Sequence, residues 1–303
     1  MAGGSALGGI YPVVYAFFTA DGGIDAQLMR RQVRACLAGG AHGMACLGLA
    51  TEVAKLTPAE RLDVLALVAD EVAGRVPLAV TVFGATVEEQ LAFVDEAAAA
   101  GATWVILQPP VVQDPDETSL RHFFGRVADA AALPVAVQNA PQYLGVGLSP
   151  ELLVELAERH PNVRLLKGEG SAVEIEPVIR ATRGRLRVFN GRGGQELTDN
   201  LRAGCAGLIP APDCFDYQVR CFEAFHAGRI DEAEALYRRI LPAITFVMQS
   251  IPALLCYGKR LTALRLGLDL EQVHDRAPAM VPTAFGLAVT RRLATELGSY
   301  VEP

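Results

Sequence analysis

Short runs of Val, Ile and Leu without polar alternation recur along the chain. They lie at Ile10–Phe17, Gly43–Leu47, Leu78–Val82, Trp104–Gln108, Val135–Gln138, Val163–Lys167, Leu186–Phe189 and Ala206–Ile209. Strands that do not alternate are buried on both faces, and a helix-period stretch after each strand is the pattern of a parallel sheet wrapped in helices. Eight such units predict an α/β fold, a closed (β/α)8 TIM barrel over residues 1–210 with its final helix beyond 210.

The intervening stretches carry helix ends that agree with this reading. Asp25–Ala38 starts acidic and stops at Gly39-Gly40, and Thr57-Pro58-Ala59-Glu60 has a cap, Pro at the first helical position and Glu three residues after the cap. Thr86–Ala100, Asp116–Ala131, a helix opening at Ser149-Pro150, Ala172–Thr182 and Gln195–Ala203 complete the set. After Pro210 the alternation ends. Asp213–His226, Ile230–Met248 and residues 282–297 read as helices, so 211–303 is expected to hold the last barrel helix and a C-terminal helical region. A doubly wound sheet is the competing architecture, but Phe17-Phe18-Thr19-Ala20-Asp21-Gly22-Gly23 is a turn and not a dinucleotide fingerprint. Gly191-Arg192-Gly193-Gly194 likewise lacks the Lys-Ser/Thr ending of a phosphate loop.

Composition narrows the function. Of 303 residues 51% are apolar and 20% charged, and the net charge is −7 with the basic residues scattered, which disfavours nucleic acid or a membrane surface as partner. The apolar runs are far shorter than the roughly 20 residues that span a bilayer. Met1–Ala6 shows neither the basic segment nor the apolar core of a signal peptide. Six cysteines without paired metal spacing read as reduced and structural, Cys205 and Cys214 less firmly because they flank a strand end, and the expected location is cytoplasmic.

In a barrel the chemistry sits at the C-terminal strand ends, which directs attention to Thr51, Glu52, Gln108, Gln138, Asn139, Lys167, Glu169, Asn190 and the segment after Ile209. Only three lysines occur in the chain. Lys55 precedes a helix cap and Lys259 adjoins Arg260, so both read as solvated. Lys167 instead closes an apolar strand, where loss of hydration favours the neutral amine that attacks a carbonyl; an ion pair with Glu169 for structure alone is the competing reading. Two residues on, Glu169 points to the same side, with Gly168 leaving room for a bound molecule. A carboxylate beside an iminium can take a proton from the adjoining carbon. Asn190 could orient a hydroxyl or carboxylate, or simply serve a turn. The five histidines share no metal spacing and stand beside no serine or cysteine in a catalytic arrangement, so neither a metal site nor a hydrolase triad is expected.

Gly48-Leu49-Ala50-Thr51-Glu52, Leu56-Thr57-Pro58-Ala59-Glu60-Arg61, Gln138-Asn139-Ala140-Pro141 and Leu166-Lys167-Gly168-Glu169 together resemble the dihydrodipicolinate synthase and N-acetylneuraminate lyase family, class I lyases on a (β/α)8 barrel. The resemblance covers essentially the whole chain. It implies that Lys167 forms a Schiff base with a small 2-keto acid without metal or organic cofactor, and that the protein is a homo-oligomer, a tetramer in the family's usual form. It also directs Phe17, Thr19, Ala50, Thr51, Gln138 and Asn139 toward the substrate, with Gly191, Pro212 and Phe215 at or near the cavity.

The departures bear on the reaction. Where typical members carry Gly-Thr-Thr-Gly-Glu, Leu49 and Ala50 have no hydroxyl. Gln138 replaces the tyrosine before Asn-x-Pro, and Gln108-Pro109-Pro110-Val111-Val112 lacks the tyrosine expected after strand four. Without its phenol the family's aldol proton relay cannot run, and Glu169 is the substitute. Lys-Gly-Glu with Asn190 resembles the branch that dehydrates 2-keto-3-deoxy sugar acids, in particular L-2-keto-3-deoxyarabonate to 2-oxoglutarate semialdehyde. An aldolase using the same lysine, a dehydratase for a hexose-derived 2-keto-3-deoxy acid, and a regulatory barrel without catalysis are the alternatives.

Overall fold

A computed structural model describes residues 7–110 and 116–300. Met1–Ala6, and with it the reading of the N-terminus, lies outside the described residues, as do Val111 and Val112 after strand four. Eight parallel strands make one sheet: β1 Gly9–Ile10, β2 Met44–Cys46, β3 Leu78–Val82, β4 Trp104–Leu107, β5 Val135–Asn139, β6 Val163–Gly168, β7 Arg187–Asn190 and β8 Gly207–Leu208. Each pairs with its sequence neighbour from β2 to β8, and β8 pairs with β1. The ring closes between β1 and β2. There the Val14 amide donates to Ala45 and the Ala45 amide to Pro12, both at 3.0 Å, around a parallel bridge from Val13 to Ala45. This is the expected (β/α)8 barrel.

The helices between strands are α1 Ala26–Ala38, α2 Pro58–Val72, α3 Val87–Ala99, α4 Glu117–Ala130, α5 Pro141–Leu144, α6 Pro150–Arg159, α7 Ala172–Thr182 and α8 Leu197–Ala203; α9 Phe215–His226 follows β8. Capping residues set many of the starts: Asp25, Thr57, Thr86, Asp116 and Ser149 each accept from a backbone amide of the first turn, and Thr57 with Glu60 forms the full reciprocal box. Beyond the barrel run α10 Ile230–Val247, α11 Ile251–Arg265 and α12 Ala284–Leu297. Among the described residues no single helix is long and apolar enough to cross a membrane; α10 and α11 qualify only jointly, across a bend of 108°.

Three local differences from the sequence reading have physical causes. The first strand is regular only over Gly9–Ile10, because Pro12 has no N–H to continue the ladder; the chain stays buried through Phe18 but irregular. A short helix, α5, intervenes after β5, started by Pro141. Residues 251–265, for which the sequence reading gives only a solvated Lys259 beside Arg260, are helical, with a π segment over Leu254–Gly258. Their apolar period is hidden because Lys259, Arg260 and Arg265 are all buried on the packed face.

Inside the barrel Tyr11, Trp104 and Phe189 meet with ring centroids 5.2–5.8 Å apart. They come from β4, β7 and the stretch just after β1, which are not neighbours, so they can meet only in the lumen. Phe189 is the register partner of Lys167. The aromatic trio is therefore an apolar floor beside the amine.

Candidate active site

Side chains alternate across a strand, and β6 shows which face each residue takes. Leu166 and Gly168 line a cavity on the helix side together with Leu153 and Ile175. Lys167, between them, faces the lumen, as does Gln138, its register partner on β5. Glu169 follows on the same side as Lys167. The Lys167 amine is buried and donates to Glu169 Oε1. Gln138 Nε2 donates to the same oxygen at 2.7 Å. The carboxylate is thus aimed by two donors, and Gln138 Oε1 is left buried with no partner among the described residues. That bare acceptor can receive a hydroxyl proton, whereas the amide N–H that a substrate carboxylate would need is already committed.

The backbone around Glu169 is fitted to hold it. A Cβ on Gly191 would lie 2.8 Å from the Glu169 carboxyl carbon, so only glycine lets β7 pass this close. The Gly191 amide donates to Gly168 O at 2.8 Å. Asn190 Nδ2 donates to Gly170 O at 2.9 Å and to Asn200 Oδ1 on α8 at 2.7 Å, a placement that holds the 168–170 segment, while its Oδ1 is buried with no partner among the described residues. Gly168 does not leave room for a ligand, contrary to the sequence expectation. It faces outward, where a Cβ would meet Ile175 Cδ1 at 2.5 Å, so its small size serves the approach of α7.

Asn139 exchanges hydrogen bonds with the Leu148 backbone, Oδ1 accepting at 2.7 Å and Nδ2 donating at 3.0 Å, and so pins the loop after β5. Thr51 is fully buried and donates to Val14 O at 2.6 Å across the barrel closure. Ala50 and Phe17 are buried beside it in the chain and on the irregular stretch after β1. Thr19 is partly exposed and binds within its own turn, to Asp21 and Gly23. Pro212 and Phe215 are buried between β8 and the C-terminal helices, where Pro212 O accepts from Tyr300 at 2.8 Å. Asp213 between them is pushed up to about 7 by burial.

Two expectations about lysines are overturned. Lys259 is fully buried, donating to Glu52 Oε1 at 2.5 Å and lying 3.4 Å from Asp275. Lys55 is largely covered and donates to Glu52 Oε2 at 2.5 Å and to Arg276 O at 2.9 Å. Both were read as solvated because Glu52 is 207 residues from Lys259 and Arg276 is 221 from Lys55, while Asp275 lies beyond a helix that the sequence reading did not recognise.

Sequence reasoning also passed over Tyr143 on α5. It is half-buried, and burial, with the charge of Glu169 adding to it and Arg192 opposing it, raises its phenol above the ordinary value. Gln142 next to it donates to Glu169 O. A tyrosine five residues beyond the expected phenolic position was the available signal. All six cysteines are free and buried. Among the described residues no three His, Cys, Asp or Glu side chains are grouped to hold a metal ion.

A barrel whose strand-six lysine meets a buried carboxylate at the C-terminal face is the architecture of a Schiff-base lyase. The chain belongs to the Dihydrodipicolinate synthetase family, whose profile matches residues 6–279. It is 31% identical over 296 residues to L-2-keto-3-deoxyarabonate dehydratase of Azospirillum brasilense, covering 94% of each chain. To 4-hydroxy-tetrahydrodipicolinate synthase of Methanoculleus marisnigri it is 30% identical over 240 residues, 77% of this chain and 81% of the other. In structure it resembles a Pseudomonas aeruginosa protein described as a dihydrodipicolinate synthetase, with a TM-score of 0.87 and 26% identity over 96% of this chain and 100% of that one. A dihydrodipicolinate synthase from Thermotoga maritima shares the fold with a TM-score of 0.86 at 20% identity, over 97% and 99% of the two chains. Members of this family are lyases, and this chain is a family lyase.

Proposed function

We propose that the protein is a Schiff-base dehydratase that converts a 2-keto-3-deoxy sugar acid, L-2-keto-3-deoxyarabonate first among them, to 2-oxoglutarate semialdehyde and water. One observation carries the reading: the buried acid–base group touching the Lys167 amine is the Glu169 carboxylate, and the position of the family's phenol holds Gln138, which cannot move a proton. The relative named for this dehydratase, similar over 94% of the chain, supports it.

The steps follow from the site. Lys167 condenses with the C2 carbonyl, releasing water, and the iminium acidifies C3. Glu169, drawn to the amine in the free enzyme, is placed to take a C3 proton and give the enamine. The enamine electrons expel the C4 hydroxyl as water, the acid form of the base assisting. Loss of a C5 proton and reprotonation at C3 give an enol, protonation at C4 turns it into the aldehyde, and hydrolysis frees Lys167. Gln138 Oε1 accepts from a substrate hydroxyl, and Asn190 keeps the segment bearing Glu169 in place. The iminium is the electron sink, so the reaction draws on no metal or organic cofactor. Assembly as a homotetramer in the cytoplasm belongs to the same proposal.

The test is mass-resolved product analysis of the purified protein with L-2-keto-3-deoxyarabonate and no added metal. Loss of one water to 2-oxoglutarate semialdehyde is the expected outcome. Release of pyruvate and glycolaldehyde would make it an aldolase instead, a reading that the similarity to 4-hydroxy-tetrahydrodipicolinate synthase keeps in second place. Turnover of six-carbon but not five-carbon acids would move the substrate to the hexose series.

A further inference from the structure

Gln108 stands at the end of β4, and the barrel gives its side chain a direction. Trp104 reaches the lumen, where it meets Tyr11 and Phe189, so Ile106 and then Gln108 face the same way. The Gln108 amide donates to Val82 O at 3.1 Å and so carries the strand ladder one residue beyond Leu107. From the helix side Gln90 on α3 donates to Gln108 O at 3.0 Å and to Gly84 O at 3.1 Å, which holds that backbone from both directions. Leu107 pairs with Val137, so the next step of the β4–β5 register sets Gln108 beside Gln138, which is itself paired with Lys167. Three lumen side chains, Gln108, Gln138 and Lys167, therefore stand in one row across adjacent strands, about 10 Å from first to last at the usual strand spacing.

The row holds two unmade hydrogen bonds of complementary kind. Both glutamines are buried, and neither Gln108 Nε2 nor Gln138 Oε1 has a partner among the described residues. The Glu169 carboxylate settles the orientation of Gln138, since only the amide nitrogen can donate to it, and so turns Oε1 away as the bare acceptor. A bare donor next to a bare acceptor calls for a group that can accept and donate at once. A carboxylate only accepts, and would meet the partial negative charge of Gln138 Oε1; a hydroxyl does both. We propose that Gln108 and Gln138 form a clamp for the terminal C5 hydroxyl of the substrate, with Gln108 the residue that selects for it; this rests on the dehydratase reading above. The C5 oxygen accepts from Gln108 Nε2 and donates to Gln138 Oε1. With C2 on Lys167 and C3 beside Glu169, the carbon chain runs along the row toward β4, and the hydroxyl oxygen furthest from C2 reaches its far end. An amide neither gives up nor takes a proton, so the clamp suits the hydroxyl that is kept as the aldehyde oxygen and not the C4 hydroxyl that must leave as water.

The experiment compares the full-length wild type with Gln108→Leu on L-2-keto-3-deoxyarabonate and on its 5-deoxy analogue, which keeps the C4 leaving group and lacks the clamped hydroxyl. Loss of water is read by mass for both. The wild type is expected to prefer the C5-hydroxylated substrate at least about 100-fold in kcat/KM. Gln108→Leu is expected to lower kcat/KM for that substrate about 30-fold and to change it for the analogue less than about threefold. Borohydride trapping of pyruvate on Lys167 is expected to be half-complete at the same pyruvate concentration in both proteins. That result shows a folded variant, and it separates the hydroxyl from the carboxylate, which pyruvate shares. A wild type indifferent to the C5 hydroxyl overturns the assignment, and so does a preference that survives in the variant. An equal fall on both substrates, or weaker trapping of pyruvate by the variant, also overturns it, because Gln108 would then serve the keto-acid end. If Gln108→Leu does not fold, Gln108→Met carries the same comparison with the same outcomes. A wild type that loses no water from L-2-keto-3-deoxyarabonate overturns the dehydratase reading and this one with it, whereas normal wild-type turnover with an unchanged preference in the variant overturns only the clamp.

Discussion

Two buried lysine–glutamate pairs occupy the C-terminal side of this barrel, and they are built for opposite ends. Lys259 meets Glu52 and Asp275, lies 5.1 Å from the centre of the Phe18 ring, and shares Glu52 with Lys55; Arg260 holds the other oxygen of Asp275 at 2.7 Å. Each charge there has two partners or more. Glu52 is held in a left-handed backbone conformation, with φ of 56°, which non-glycine residues adopt only when surroundings enforce it. Among the described residues Lys167 has one charged partner, Glu169, whose second contact is a neutral amide. A substrate carbonyl can displace one partner but not a network. Reactivity of a buried lysine is thus decided less by burial, which the two share, than by how many groups must let go before it can react.

The largest effect that could break this contrast concerns Lys167 itself. Lys167→Ala is expected to lower turnover at least about 10⁴-fold and to abolish borohydride trapping of pyruvate, since the covalent step has no substitute. Lys259→Arg should still be trapped in full. Trapping that survives in the first variant and vanishes in the second would reverse the roles of the two pairs.

Glu169→Gln keeps the shape and a hydrogen bond to the neighbouring amide while removing the base. The expected fall in kcat is about 10² to 10³-fold, with trapping retained, because iminium formation precedes the proton transfer. Loss of trapping in step with turnover would mean that the carboxylate serves to hold the lysine, as Glu52 does at the other pair.

On the structural side, Glu52→Ala leaves Lys259 with Asp275 alone and Lys55 with a carbonyl, and is expected to cost about 3–5 kcal/mol, read from denaturant midpoints. The corresponding cost for Glu169→Gln is expected to be far smaller. Equal costs would erase the distinction between network and pair.

Legibility in the sequence followed the range of the interactions. The barrel was readable because strand and helix periods are local: most strand limits shifted only by a residue or two, as where β7 runs on to Asn190, whereas β1, read through Phe17, is regular only over Gly9–Ile10, where Pro12 interrupts it. Lys167 and Glu169 were readable because residues two apart on a strand share a face. The same rule, applied to the residue between them, shows why Gly168 faces α7 and not the cavity. Lys259 was not readable: its partners come from the loops that follow β2 and α11, brought together only by the fold, and its own charge broke the apolar period that would have marked the helix.

The smallest effect tests where the structural network gives out toward solvent. Glu60 meets Arg276 at its outer rim, with Nη1 3.0 Å from Oε2, and Arg276 donates to Lys55 O at 3.0 Å. The Arg276 hydrogen bond holds the Glu60 carboxyl down from its ordinary 4.5 to about 2. A carboxyl lowered on folding contributes stability that is complete above its unfolded value and disappears as the pH falls through its folded one. Much of that shift is screened, because the pair is reached by water, so Glu60→Gln should cost only about 1 kcal/mol at neutral pH. The gap between variant and wild-type urea midpoints should narrow as the pH falls from about 5 to about 3. A gap that stays constant over that range would assign the cost to the helix cap on Thr57, which Glu60 also completes, and would place the edge of the network one residue inward, at Lys55.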